Sequence, residues 1–175
     1  MALDKISVDR INQLHPKYRD FFLEVYSYAN EKLLPKGVRL RITQGLRTIK
    51  EQNDLYSLGR TKQNPDGISS RKPMGNIVTN AKGGSSNHNY GIAIDIVILY
   101  DKDKNDSFET VSWDINDKYF IKVKDYFISK GLYWGGNFRS FPDYPHFEIK
   151  TGFTVSELKT KVDAKYTIDN IYPKL

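Results

Sequence analysis

The 175-residue chain contains no cysteine. That excludes disulfides, thiolate metal sites and a cysteine nucleophile. It leaves the redox compartment open, because a protein without disulfides can work inside or outside a cell. Histidine is nearly as scarce, with three residues, so imidazole chemistry must come from His15, His88 or His146. No apolar run approaches the roughly 18 residues that span a bilayer, which sets membrane insertion aside. The N-terminal MALDKISVDRINQL has no charged segment followed by an apolar one, so no secretory signal is read there. A basic block is missing too. The formal charge of +6 suits an anionic partner. The lysines and arginines are scattered, however, and a positively biased surface explains them as well as a nucleic-acid groove does. What is present describes a folded protein: 39% hydrophobic and 13% aromatic residues suffice for a core, and the length fits one domain.

Ile11, Leu14, Tyr18, Phe21, Phe22, Val25, Tyr28 and Ala29 recur at helical spacing. With Pro16 in the first turn and Pro35-Lys36-Gly37 as a stop, they predict an amphipathic helix over about 16–34. Val38, Leu40 and Ile42 alternate with Arg39, Arg41 and Thr43, a half-exposed strand that Gly45 breaks. Thr48 and Glu51 form a capping-box pattern. It opens a helix over about 49–58 with Ile49, Leu55 and Tyr56 offered to the core. Residues 60–84 read as a long loop holding a short strand at 77–79, and a loop of that length in a compact domain is often functional. A strand follows at about 91–99, then a polar turn from Asp101. A second amphipathic helix covers about 116–130, and strands are expected at 132–134 and 145–150. Ser156 is the expected cap of a last helix at about 157–164. Helices and strands mix without a βαβ repeat, which predicts an α+β fold with an antiparallel sheet.

The segment SSNHNYGIAIDIVIL (85–99) carries the chemistry. Ile92, Ile94, Ile96 and Ile98 line one face of the strand, and Ala93, Asp95, Val97 and Leu99 the other. Both faces read as buried, so the Asp95 carboxylate needs a charge or several donors to meet it. An arginine, backbone amides or a metal ion would serve. His88, seven residues earlier in a turn, and His146, in FPDYPHFE (141–148), favour the metal. Two histidines and a carboxylate form a standard catalytic zinc set that leaves a position open for water. Zinc brings the pKa of such a water near 7. Asp143, three residues before His146, then stands where a proton acceptor is needed. Iron oxygenases also use two histidines and a carboxylate, but usually with a His-x-Asp spacing absent here.

These residues resemble a known family. Ser86-x-His88-x-x-Gly91-x-Ala93-x-Asp95 is similar to the SxHxxGxAxD signature of the zinc D-alanyl-D-alanine peptidase superfamily, the VanX/VanY-like or LAS peptidases. GLRTIKEQNDLYSLGRT (45–61) resembles its arginine-bearing strand-to-helix segment. NIVTNAKGGSSNHNYGIAID (76–95) resembles the metal strand and its approach. GLYWGGNFRSFPDYPHFEI (131–149) resembles the second metal segment of the L-alanyl-D-glutamate endopeptidases, a branch that includes phage endolysins and bacterial autolysins. The resemblance covers about 11–150.

It implies His88, Asp95 and His146 as zinc ligands, Asp143 as general base, and Arg47 as the cation that polarises the scissile carbonyl. Ser86 and Gln52 are implied as substrate-binding residues. Many relatives outside this branch have glutamate at the Asp143 place. The implied fold is of the LAS/hedgehog type, a central antiparallel sheet flanked by helices. The implied activity is zinc-dependent cleavage of the L-Ala–D-Glu bond of the peptidoglycan stem peptide, lysing the wall. Two alternatives stay open: a D,D-carboxypeptidase or dipeptidase acting on D-Ala-D-Ala, and a non-catalytic wall-binding module. The expected organisation is one catalytic domain, a core of about 11–150 with a C-terminal extension over 151–175. A monomer is expected, with no separate wall-binding domain and no nucleic-acid partner. A phage enzyme would wait in the host cytoplasm for a holin, whereas an autolysin would be secreted to the wall.

The Asp101–Glu109 turn is longer and more acidic than the family pattern. Its start resembles a calcium loop but fails the EF-hand template, since Asp106 stands where glycine is required. It reads as a solvated acidic turn. His15 reads as a cap or surface residue, Glu148 as a salt-bridge or substrate contact, and Trp134 and Phe147 as core or cleft wall.

Overall fold

Alternating and 3.6-residue apolar patterns meet in a computed structural model that describes residues 3–175. Contacts divide the chain into two compact units, Met1–Leu46 with Gly91–Thr151 and Arg47–Tyr90 with Gly152–Leu175.

The first unit is a sheet covered by helices. β1 (Val38–Gln44) pairs antiparallel with β2 (Ala93–Tyr100). Along its other edge β2 pairs with β3 (Thr110–Ser112) and with β5 (His146–Glu148), and β5 pairs with β4 (Tyr133–Trp134). The sheet order is β1-β2-β5-β4, all antiparallel, as the α+β expectation has it. Ile94, Ile96 and Ile98 join Leu40, Ile42 and Phe147 in the core. Helix α2 (Arg19–Tyr28) adds Phe22, Val25 and Tyr26, and α4 (Lys118–Ser129) adds Phe120, Val123 and Phe127. The ring of Phe127 meets Phe147 edge-on, with centroids 5.3 Å apart. That contact anchors β5 from the core side. Period two then turns His146 and Glu148 to the opposite face.

The helix expected over 16–34 is segmented: a 3-10 turn at Pro16–Tyr18, α2, then a π-helical turn at Ala29–Leu33. Asn30 closes the segment by accepting the Leu40 amide (2.9 Å) and donating to the Tyr26 carbonyl (3.1 Å).

Helix α1 (Lys5–Asn12) has no counterpart among the expected elements. Its anchor is polar. Asp4 caps it, accepting from the Ser7 amide (3.2 Å) and hydroxyl (2.7 Å), and forms a two-pronged ion pair with Arg41 of β1 at 3.0 and 2.9 Å. Burial works against the charged carboxylate, but Arg41 and Ser7 outweigh it and lower the pKa of Asp4. A carboxyl depressed in the folded state contributes stability above its unfolded pKa and loses it as pH falls through the folded one. Replacing Asp4 with asparagine is therefore expected to cost about 2–3 kcal/mol at pH 7, since it strips a buried pair of one charge. The gap between wild type and variant should shrink below about pH 4. Denaturant unfolding at pH 7 and pH 3 measures both; an equal gap at the two pH values would refute the assignment.

The second unit holds α3 (Ile49–Ser57) and α5 (Val155–Asp163), each opened by a capping box, and a hairpin of β6 (Thr167–Ile168) and β7 (Tyr172–Pro173). Three expectations are corrected here. Thr154, not Ser156, caps α5, because Glu157 stands three residues on and completes the box. Ile49 is 50% exposed, and the buried side chain of α3 is Gln52. No strand forms at 77–79: Ile77 and Val78 are exposed, and that stretch lacks a pairing partner.

The long loop is instead held by side chains. Arg60 donates to the carbonyls of Tyr56 (2.7 Å) and Thr79 (2.9 Å) and to Asn80 (2.9 Å). Buried Asn64 bonds the Asn76 carbonyl (2.8 Å) and the Asp66 amide (3.2 Å). Among the described residues no helix is long and apolar enough to cross a membrane.

Candidate active site

β2 delivers Asp95 opposite His146 of β5. As a cross-strand pair their side chains share a face, and His146 Nδ1 lies 3.1 Å from Asp95 Oδ1. On the other edge the β1 register slips between Ile42 and Gln44, so Gln44 stands opposite Asp95. Such bulges re-aim side chains beside active sites; here the Thr43 hydroxyl donates to the Asp95 carbonyl at 3.2 Å. The side chain of Asp95 is 17% exposed and that of His146 7%. The other ring nitrogen of His146, Nε2, lies 3.0 Å from Glu148 Oε2, and Lys150 donates to Glu148 Oε1 at 2.6 Å. Burial disfavours the imidazolium, but the hydrogen bonds and charges of Asp95 and Glu148 outweigh it and raise the ring to about 9. Glu148 is thus the salt-bridge residue its sequence reading expected.

A tight turn positions Asp143. The His146 amide donates to the Asp143 carbonyl (3.3 Å), the Asp143 amide to the Gly135 carbonyl (3.0 Å), and the Trp134 indole to the Tyr144 carbonyl (2.7 Å). Gly135 permits the approach. A Cβ there would lie 2.5 Å from the Asp143 carbonyl oxygen and 2.8 Å from His146 Cβ, closer than real contacts allow. Trp134 packs on the core edge and Phe147 is wholly buried.

Arg47, Gln52, Ser86 and His88 belong to the second unit. Asn87–Tyr90 form a 3-10 turn that places His88 among buried groups. Ser86, partly exposed, accepts the His88 amide at 3.3 Å. The Arg47 amide donates to the His88 carbonyl (3.0 Å), tying the two segments together. Asn89, which the sequence reading missed, reinforces the tie: its amide group donates to the Arg47 carbonyl (2.8 Å), and its oxygen accepts from Gly84 (2.9 Å). Arg47 donates to Gln52 at 2.8 Å, and Gln52 donates to the Ala81 carbonyl at 2.8 Å. Gln52 is fully buried, and its side chain is engaged at both ends. Gly91, at φ +67, turns the chain into β2.

Asp95 and His146 offer ligand atoms in the first unit, and His88, the third member of the set, lies in the second. The donor set fits zinc, for which imidazole and carboxylate are ordinary ligands. Asp101, Asp103 and Glu109 form a second such group. The two oxygens of Asp101 accept the Asn105 (3.1 Å) and Asp106 (3.0 Å) amides, closing their own turn. His15 is buried rather than on the surface and caps its 3-10 turn, accepting from Lys17 at 3.2 Å.

A family model and a curated relative agree with the resemblance read from the motifs. Residues 79–149 match the family model described as D-alanyl-D-alanine carboxypeptidase. Over 121 residues, 65% of this chain, the sequence is 40% identical to the peptidoglycan L-alanyl-D-glutamate endopeptidase CwlK of Bacillus subtilis (strain 168). The match spans 62% of that relative's length. Among solved structures, the L-Ala D-Glu endopeptidase ChiX of Serratia marcescens aligns with a TM-score of 0.49 at 21% identity, covering 83% of this chain and 87% of that one.

Proposed function

We propose that this chain is a zinc-dependent peptidoglycan hydrolase that cleaves the L-Ala–D-Glu bond of the stem peptide and so lyses the cell wall. The observation that carries the reading is the pair of Asp95 and His146, 3.1 Å apart on adjacent strands, with His88 as the third ligand of the motif; the choice of bond draws on the name of the Bacillus relative. These three side chains hold the metal. When bound, zinc supplies a Lewis acid that brings the pKa of water toward neutrality. Asp143 takes a proton from the attacking water and returns it to the amine as the C–N bond breaks. Arg47 offers its guanidinium to the negative charge that develops on the carbonyl oxygen. Ser86 and Gln52 bind substrate, and Gln52 also holds Arg47 through their 2.8 Å hydrogen bond. The whole chain acts as one catalytic domain at the wall, working as a monomer.

The family model's description favours a second reading, a carboxypeptidase that releases D-Ala. Digestion of purified peptidoglycan followed by mass analysis separates the two. New N-terminal D-Glu is expected, whereas free D-Ala would select the carboxypeptidase. A chelator should stop the digestion and added zinc restore it. Digestion indifferent to chelation would overturn the metal reading.

A further inference from the structure

We propose that Glu148 is a positioning residue of the metal centre: it accepts a hydrogen bond from the Nε2–H of His146 and so holds the ring in the tautomer whose Nδ1 lone pair can bind the cation beside Asp95. This rests on the reading of His146 as a metal ligand.

The geometry of the ring carries the assignment. His146 has two nitrogens with two different carboxylate neighbours, Asp95 Oδ1 at 3.1 Å from Nδ1 and Glu148 Oε2 at 3.0 Å from Nε2. A cation shared by His146 and Asp95 needs the nitrogen that faces Asp95, which is Nδ1. A neutral imidazole carries its one proton on the other nitrogen, and that nitrogen faces Glu148. Metal-binding histidines almost always donate their second N–H to such a partner, which orients the ring and raises its basicity.

Glu148 is built for holding rather than for exchanging protons with substrate. It is 4% exposed. Its Oε1 takes the ammonium of Lys150 at 2.6 Å, so each oxygen has a partner. Lys150 in turn lies 3.9 Å from the centroid of the Tyr133 ring, a cation–π contact that steadies it. The backbone supplies the rest. Glu148 follows His146 by two residues on the same strand face, and its cross-strand neighbours are Ala93 and Tyr133. A continuous chain of contacts thus runs Tyr133, Lys150, Glu148, His146, Asp95.

The test uses the full chain and zinc alone. Zinc affinity is measured by competition with a chromophoric chelator for wild type, Glu148→Gln, Glu148→Ala and Lys150→Met, with circular dichroism to check folding. Glutamine keeps an acceptor but not the charge, so about a 10-fold loss of affinity is expected, and closer to 100-fold for alanine. Lys150→Met should weaken binding by less, in the same direction. Nitrogen-15 spectra of histidine-labelled, zinc-loaded wild type provide the second measurement. They should show His146 protonated at Nε2 and metal-bound through Nδ1, a signature that a merely structural carboxylate would not impose. Metal on Nε2, or full affinity in both Glu148 variants, would overturn the proposal. If wild type holds no zinc, the metal reading itself fails. If wild type holds zinc and His88→Ala does not, while the Glu148 variants bind normally, only the positioning role is lost. Should Glu148 variants not fold, the wild-type spectra and Lys150→Met still decide the matter.

Discussion

His88→Ala is expected to lower zinc affinity on the order of 1,000-fold and to abolish wall digestion at ordinary zinc concentrations. One ligand of three accounts for about a third of the roughly 10–16 kcal/mol that protein zinc sites gain, and each 1.4 kcal/mol is a factor of ten. The variant is informative because the ties of this turn to its neighbours run through the backbone of His88: its carbonyl accepts the Arg47 amide, and its own amide donates to Ser86. Alanine keeps both. The fold should therefore survive, as circular dichroism would report, while a chelator competition reads the loss of metal. Unchanged affinity in a folded variant would remove His88 from the ligand set.

The second large effect separates chemistry from metal binding. Asp143→Asn should reduce kcat/KM by about 100- to 10,000-fold, the range general acid–base groups supply, with zinc affinity within a few-fold of wild type. Asparagine has the shape of aspartate, and the main-chain bonds of Asp143 with Gly135 and His146 do not depend on the carboxylate. What is lost is the capacity to accept a proton. Activity near wild type would transfer the base role elsewhere, and a parallel loss of zinc would make Asp143 a ligand instead. Kinetics on a defined stem-peptide substrate and the same chelator titration give the two numbers independently.

The residues of this site were readable because strand periodicity is a strong signal. Isoleucines at alternate positions of β2 commit one face to the core, which leaves Asp95 on the other and raises the question of its charge. The strand assignment of His146 was legible, but its register opposite Asp95 is set by the sheet topology and appears only in the structure. The features that escaped are those held by polar contacts between distant positions. Helix α1 buries only Ser7 and Ile11; its anchor is Asp4 reaching Arg41, 37 residues away, and no apolar pattern announces that. No local pattern announces that Gln52 is buried in α3; its partner Ala81, which accepts its amide, lies 29 residues on. Ile77 and Val78 have strand propensity but no strand beside them, so local preference lost to topology. Thr154 was legible and misread: the spacing to Glu157 repeats that of Thr48 and Glu51.

The central place of β2 has a consequence in time. It is laddered to β1 on one edge and to β5 and β3 on the other, and its core-facing side chains are almost wholly buried. Such a strand opens only when the whole structure does, so the amides of Ile94 and Ile96 should exchange with solvent at the rate of global unfolding. Asp95 lies between them. The spacing of Asp95 and His146 then persists for as long as the native state lasts, through many rounds of substrate arriving and leaving.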